Sequence, residues 1–537
     1  MALDRIINIT CALATTGYVN VPVLPCHTVN NELLRLEKLL HQPSRSSSAQ
    51  GLSSRSAYTL LLGLFIVSRI MYYMLGVRFD ARPILNFFQF IDPELLKHRL
   101  LESLYYLHVQ PPGFNLYTGI VLKLFPDAYP AVFHAIHLGL GIGICWFIYY
   151  LMTVCGVRPW IALTLTSLFI VSPGVVLFEN FMLYEYPLVF LLLAAAVTLY
   201  NFCLREKAIY AVLFFASLLC LLLLRNHFHL VYIAGAFLLL LGFYKRRRRM
   251  LLLSGIVPLL LAFGLFFKNW ILFGSFSSST WLGMNMSTIL THQLTEQEAR
   301  GFISRGVISP VSLIDAGSPI ALYRPYVQMP PKTGIPVLDE EVTATGATNF
   351  NNTVFFQIQR YYMKDGAWIL RNYPVAYLRS LQAAWFSYFL PTGDFPFFDL
   401  NRPRIFGIDR FFNLVFFGQF KYASDRKELR EIAGQGGKLR LILYTGTFLL
   451  IGLPALWLWS IYYLVNGVRR KTIPPPVAVV IGFFLFNITY LTGVSNFLSS
   501  FENNRYRFQV DAFFVILLGI AFEHLRRKFS RAAKEPI

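Results

Sequence analysis

The residues able to do chemistry in this chain gather between its apolar stretches. The segment from Arg78 to Pro112, RFDARPILNFFQFIDPELLKHRLLESLYYLHVQPP, carries Asp80, Asp92, Glu94, Glu102, His98 and His108, a dense ionisable set where only 14% of the chain is charged. A loop of about 35 residues with a carboxylate two residues past its start and a terminal Pro-Pro is a working surface rather than a connector. Further on, Glu179 and Glu185 flank a span end, Arg225 closes LLCLLLLR with His227 and His229 beyond it, and Lys268 lies near another span end. Glu502, Arg505 and Arg507 open the last apolar run. Arginine forks suit a phosphate, carboxylates suit proton transfer, and both together suit a reaction on a phosphorylated, lipid-linked substrate.

The elements that must position these groups are transmembrane helices. With 55% hydrophobic and 16% aromatic residues, and apolar runs long enough to cross roughly 30 Å of hydrocarbon, the chain reads as an all-α polytopic membrane protein. Candidate spans run near 57–77, 131–153, 160–177, 186–203, 208–224, 228–244, 250–273, 440–465, 476–495 and 507–525, about ten in all. The piece 113–126, GFNLYTGIVLKLFP, is short and holds Lys123. Counting it as non-crossing or re-entrant places Arg158, Arg205 with Lys207, KRRRR at 245–249, Arg469 to Lys471 and the terminal RRKFSR on one side, as the positive-inside rule requires. The chemically loaded residues then share the other, non-cytosolic side. A charged side chain costs roughly 2.5–3.5 kcal/mol at the bilayer centre on insertion scales, so such a cluster needs partners or a water-filled cavity.

The organisation follows from that count. Residues 1–56 form a cytosolic tail ending in a Ser-rich tether, 57–273 a transmembrane module with its first exterior loop at 78–130, and 274–439 an exterior region. Helices 440–525 and a cytosolic tail 526–537 complete the chain. Within the exterior region, 371–391 and 397–420 read as interfacial helices lining an acceptor groove, with an extra hairpin of spans as the alternative. Asn285-Met-Ser287 and Asn351-Asn-Thr353 match the glycosylation triplet. The net charge of +20 is spread over loops and tails with no recognition module around it, which argues against nucleic acid and for the lipid surface. The six cysteines show no CxxC and no loop pair, so no disulfide framework or metal knuckle is expected. No His-rich spacing supports zinc, and a divalent ion on Asp80 and Glu185 is an option rather than a requirement.

The order of FD in the first loop, HVQPPGFNLY, SPGVVLFENFMLYEYP, LLLRNH, KNWILFGSF and ENNRYRF before the last span resembles the GT-C class of glycosyltransferases. Within it, the chain is similar to the protein mannosyltransferase and aminoarabinose transferase superfamily over about residues 56–527. The resemblance implies transfer of a sugar from a polyprenyl phosphate to a glycan, lipid or protein acceptor on the non-cytosolic face, with Asp80 as general base and Glu185 orienting the acceptor or a metal. Arg225, Arg505 and Arg507 would hold the donor phosphate, and His108, Gln110, Glu179, His229, Lys268 and Glu502 would border the substrate. The chain departs from the family where Asp80 stands between Phe79 and Ala81 with no adjacent acid, and where Gln110 precedes the Pro pair in place of His. Pairing of Asp80 with Arg78 or Arg82 is the alternative to its role as base. The absence of a retention signal at AAKEPI favours a bacterial cytoplasmic membrane over the endoplasmic reticulum. A transporter or flippase of an anionic or lipid-linked substrate is the rival class, against which the chain offers no internal repeat.

Overall fold

The computed structural model describes residues 54–243, 247–422, 442–500 and 502–532; the tail before residue 54 and Lys245 and Arg246 of the basic run lie outside them. Among the described residues the protein is all α, with two isolated bridges and no strand. Seven helices are long and apolar enough to cross a membrane, or eight when one bent pair is taken as a single span. The first two are α1 (Ser54–Met74) and, after the loop helix α2 (Pro112–Leu124), α3 (Tyr129–Val154). The bent pair is α4 (Pro159–Val171) with α5 (Pro173–Glu179), and α6 (Glu185–Arg205) follows it. After α7 (Ala208–Leu224) and α8 (Leu230–Phe243) come the long helices α9 (Arg248–Phe273), α10 (Thr447–Arg469), α11 (Pro475–Leu498) and α12 (Asn503–Ala532).

Each of the ten runs read from the sequence is helical, but α7 and α8 are shorter than a full span, at 17 and 14 residues. The segment 113–126 forms α2, 13 residues long, which at 1.5 Å per residue reaches only about 20 Å. Proline places several of these starts. Pro112, Pro159, Pro173 and Pro475 occupy the first helical turn, where a missing N–H costs nothing. Ser172, just before Pro173, is pushed into the extended region, and α4 and α5 meet at 57°.

Contacts sort the helix ends into two groups. At one end Arg527 donates to the Gly156 carbonyl, Arg247 pairs with Glu206, and His524 packs on Trp459 and Tyr463. That end is basic, with Arg158, Arg205, Lys207, Arg247 to Arg249 and Arg469 to Lys471 close by in the chain. At the other, Asp80 bridges Phe181, Lys268 donates to the carbonyls of Tyr105 and Leu107, and Arg225 meets Tyr506. Successive passes alternate between these two ends.

The second end carries a helical cap with its own two small cores. One packs Val109, Trp281, Met284, Tyr323, Phe355 and Tyr362; the other packs Leu290, Phe302, Ile308 and Ile369. Its main helix, Phe355–Asn372, buries Phe355, Ile358, Tyr362, Gly366 and Ile369, the spacing of one helical face. The 371–391 piece contains a 14-residue helix, Val375–Tyr388, and the 397–420 piece a short α-helix, Phe406–Phe412, continued by one π turn, Asn413–Phe417, so neither qualifies as a span. Asn351 is buried, accepts the His108 N–H and donates to the Tyr106 carbonyl, so its glycosylation triplet is closed to modification in the folded chain.

Gly283 marks the tightest contact inside the cap. A Cβ there would lie 2.4 Å from the Gln359 carbonyl oxygen. Gly283→Val is expected to destabilise the cap by about 1–3 kcal/mol, whereas Gly301→Ala, with open space around it, should be neutral or gain up to about 1 kcal/mol. Thermal unfolding of the two variants in detergent checks the contrast.

Candidate functional site

The irregular stretch between α5 and α6 decides which carboxylates are free. After Glu179 the chain leaves the helix, and the Asp80 N–H donates to the Asn180 carbonyl at 2.8 Å while the Met182 N–H donates to the Asp80 carbonyl at 2.9 Å. Asp80 is therefore fixed by its backbone against residues 180–182. Three residue steps separate Met182 from Glu185, which keeps the Asp80 and Glu185 backbones within about 18 Å.

The helix breaks at Asn180, and the two glutamates on either side of the break meet different partners. Glu179 is buried and grips Arg69 by a two-pronged pair, Arg69 Nε to Oε1 at 2.8 Å and Nη2 to Oε2 at 2.7 Å, with the Tyr186 hydroxyl on Oε2 at 2.7 Å. Its backbone carbonyl also meets His137 Nδ1 at 2.8 Å. Every strong acceptor direction of Glu179 is used within the bundle, so it is a brace between α1 and α5. Arg69 gave no signal in the sequence beyond being a lone charge within an apolar run.

Glu185 differs. It is 1% exposed, neither carboxylate oxygen has a hydrogen-bond partner, and its nearest cation is Arg505, Nη1 to Oε1 at 3.8 Å. It opens α6, where the first-turn N–H groups and the helix dipole favour negative charge. Around it lie two buried arginines. Arg225, at the end of α7, is 4% exposed, stacks over Tyr184 at 4.2 Å, and donates only to the Tyr506 hydroxyl, at 3.2 Å. Among the described residues no carboxylate lies within ion-pair distance of it, and its Nε is unpaired. Arg505 pairs with Glu502 at 3.0 Å, and its Nε is also unpaired. The Tyr184 hydroxyl, His227 Nδ1 and Gln509 Nε2 complete a set of buried polar atoms without partners.

The remaining expected site residues fall elsewhere. Arg507 is buried but turns to the Tyr388 and Leu390 carbonyls and to Asp511, tying α12 to the Val375–Tyr388 helix. Two residues along a helix point in nearly opposite directions, so Arg505 and Arg507 cannot serve one ligand. His108 is wholly buried between Thr280 Oγ1 at 2.7 Å and the Asn351 carbonyl at 2.9 Å, and Lys268 caps loop carbonyls. His108 holds the cap to the first loop, and Lys268 holds α9 to it. Gln110 is buried nearby. His229 lies against Phe266, and it is His227, bonded to Gln509 at 3.1 Å, that joins the cluster. The turn after Arg225 is not helical, so His227 rather than His229 comes alongside Gln509.

Asp80 is 2% exposed, and Arg82 fills both of its oxygens, at 2.8 and 2.6 Å, with the Arg82 N–H adding a third bond. The pairing with Arg82 is thus the one formed. Arg82, 50% exposed, also holds Asp399 at 2.8 Å, and Asn401 clamps the backbone of Arg78 from both sides. Phe395, in the same strip, links the two regions: its ring lies 6.1 Å from Phe181 and 5.7 Å from the Arg505 guanidinium carbon. A surface groove of about 250 Å³ beside Ile84, Leu122 and Tyr129 includes none of the cluster residues. Among the described residues no group of three or more His, Cys, Asp or Glu is placed to hold a metal ion.

Two outcomes test this assignment of roles. Arg69→Met leaves Glu179 as an uncompensated buried charge and is expected to cost about 3–5 kcal/mol, most of it recovered in the Arg69→Met/Glu179→Gln double variant; thermal unfolding of the set measures it. Burial pushes the His108 imidazole down to about 3, from an ordinary 6.5. The unfolded chain then binds the extra proton, so stability is full above pH 6.5 and falls as the pH drops from there towards 3. The unfolding free energy of the wild type, from melting curves, should fall faster than that of His108→Asn across that window, by up to about 1.4 kcal/mol per pH unit.

Comparison of the chain with protein-family models, with curated proteins and with solved structures finds no match, so the site rests on its own geometry.

Proposed function

We propose that this protein is a polytopic membrane glycosyltransferase that moves a sugar from a polyprenyl phosphate to an acceptor hydroxyl at the non-cytosolic end of a ten-helix, GT-C-like bundle. One observation carries the reading: among the described residues Arg225 is a buried cation with no carboxylate at ion-pair distance, 4.2 Å from the Tyr184 ring and sharing the Tyr506 ring with Arg505, at the end opposite the basic loops. An isolated charge taken out of water is costly, so a native site that keeps one reserves it for a ligand of opposite sign. A phosphate matches the guanidinium fork, and the growing charge on a leaving phosphate is what such a preorganised pair stabilises.

In this reading Arg225 and Arg505 hold the donor phosphate, while Tyr184, Tyr506 and Phe395 supply flat apolar walls to the prenyl-sugar junction. Arg507 is left out of the donor site because it leaves α12 on the face opposite Arg505, with Nη1 on the Tyr388 and Leu390 carbonyls and Nε on Asp511. The cap, joined to the first loop through His108, is the region from which an acceptor would be selected. The basic end then faces the cytosol, in keeping with the positive-inside rule.

Loss of a charge-assisted contact to phosphate is worth about 1.5–3 kcal/mol. Arg225→Met and Arg505→Met are therefore each expected to weaken binding of farnesyl phosphate, read by thermal shift in detergent, by roughly ten- to a hundredfold, with Arg507→Met affecting stability more than binding. Sugar release from undecaprenyl-phosphate-linked mannose, arabinose and glucose by the wild type tests transfer itself. Binding and release unaffected by both substitutions would remove the proposal, and vectorial movement of the lipid without sugar release would favour a flippase.

A further inference from the structure

The sequence singles out Asp80 as the base, but a general base needs a lone pair free and within reach of the proton it takes. Arg82 occupies both oxygens of Asp80, and Arg82 is itself held by Asp399 on the cap. Asp80 lies under that bridge, with its backbone locked to residues 180–182 and the neighbouring Arg78 locked to Asn401. Opening it requires the Arg82 fork to leave. Glu185 presents the converse arrangement. Its two oxygens are buried with no donor on either, in the company of the unpaired Nε atoms of Arg225 and Arg505.

We propose that Glu185, and not Asp80, accepts the proton of the acceptor hydroxyl, while Asp80 with Arg82 and Asp399 fastens the first loop to the cap. This rests on the transferase reading above. As the acceptor oxygen bonds to the anomeric carbon, its proton passes to a Glu185 carboxylate oxygen. The bond from the anomeric carbon to the phosphate oxygen breaks with its electron pair, leaving polyprenyl phosphate on Arg225 and Arg505. The charged and titratable groups facing Glu185 are Arg505, Arg225, Glu502 and Tyr184. Arg505 at 3.8 Å is close enough to stabilise the carboxylate without consuming its lone pairs.

The test uses the full-length protein in detergent, with the three labelled undecaprenyl-phosphate sugars as donors and water as surrogate acceptor. Glu185→Gln is expected to lose about 100-fold or more in sugar release while still binding farnesyl phosphate. Asp80→Asn should lose at least tenfold less. Glu185→Ala should regain turnover with added formate, a response that a structural role does not produce. Equal losses in the two amide variants, a loss in Asp80→Asn alone, or no formate rescue overturn the assignment while leaving the transferase intact. Absence of release by the wild type from every donor overturns the transferase reading, and this inference with it.

Discussion

A charge withdrawn from water must meet its opposite or a ligand, and the second end of this bundle is built around that constraint. Arg69, Arg505 and Arg507 each meet a counterion within 3.1 Å, at Glu179, Glu502 and Asp511, with one nitrogen of Arg505 and one of Arg507 left open. Arg225 and Glu185 do not. Their proximity to the same tyrosines and to Arg505 makes the imbalance a property of one place rather than of scattered defects. Because breaking any closed pair leaves a naked ion, the braces are as essential to the fold as the open residues are to chemistry.

The backbone break at Pro173 and Asn180 is what separates the two classes. A continuous helix from Pro159 to Arg205 would set Glu179 and Glu185 on different faces of one rod, both at membrane depth. Instead the chain bends by 57° at Ser172, leaves the helix after Glu179 to bridge Asp80 through Phe181, and restarts at Glu185. That restart puts a carboxylate on a helix N-terminus, where negative charge is favoured. It also pins the first loop to the bundle, so that the loop becomes part of the wall.

The cap closes the arrangement from the other side through polar rather than apolar clamps. Asn351 and Thr280 hold His108, Asn401 holds the Arg78 backbone, and Asp399 holds Arg82. Such bonds are directional, and each fixes one stretch of the first loop against a distant part of the chain. The exposed Asp399 and Arg82 at the rim contribute little stability of their own. Their consequence is occupancy: they take the lone pairs of Asp80.

The all-α membrane class, the ten apolar runs, the short 113–126 helix and the split of charge between two ends were all legible in the sequence, because hydrophobic run length and the position of basic residues are one-dimensional properties. Glu185, Arg225 and Arg505 were legible as well, since each stands where an apolar run begins or ends. The sequence could not assign partners. Whether Asp80 or Glu185 has free oxygens depends on Arg82 and Asp399, 317 positions apart, and whether Arg505 or Arg507 faces the cluster depends on the rotation of one helix. Which of His227 and His229 meets Gln509 depends on a turn that is not helical. Ion pairing acts through distance in space, so composition and spacing located the charged groups, and only the tertiary structure decided which of them remain available to a ligand.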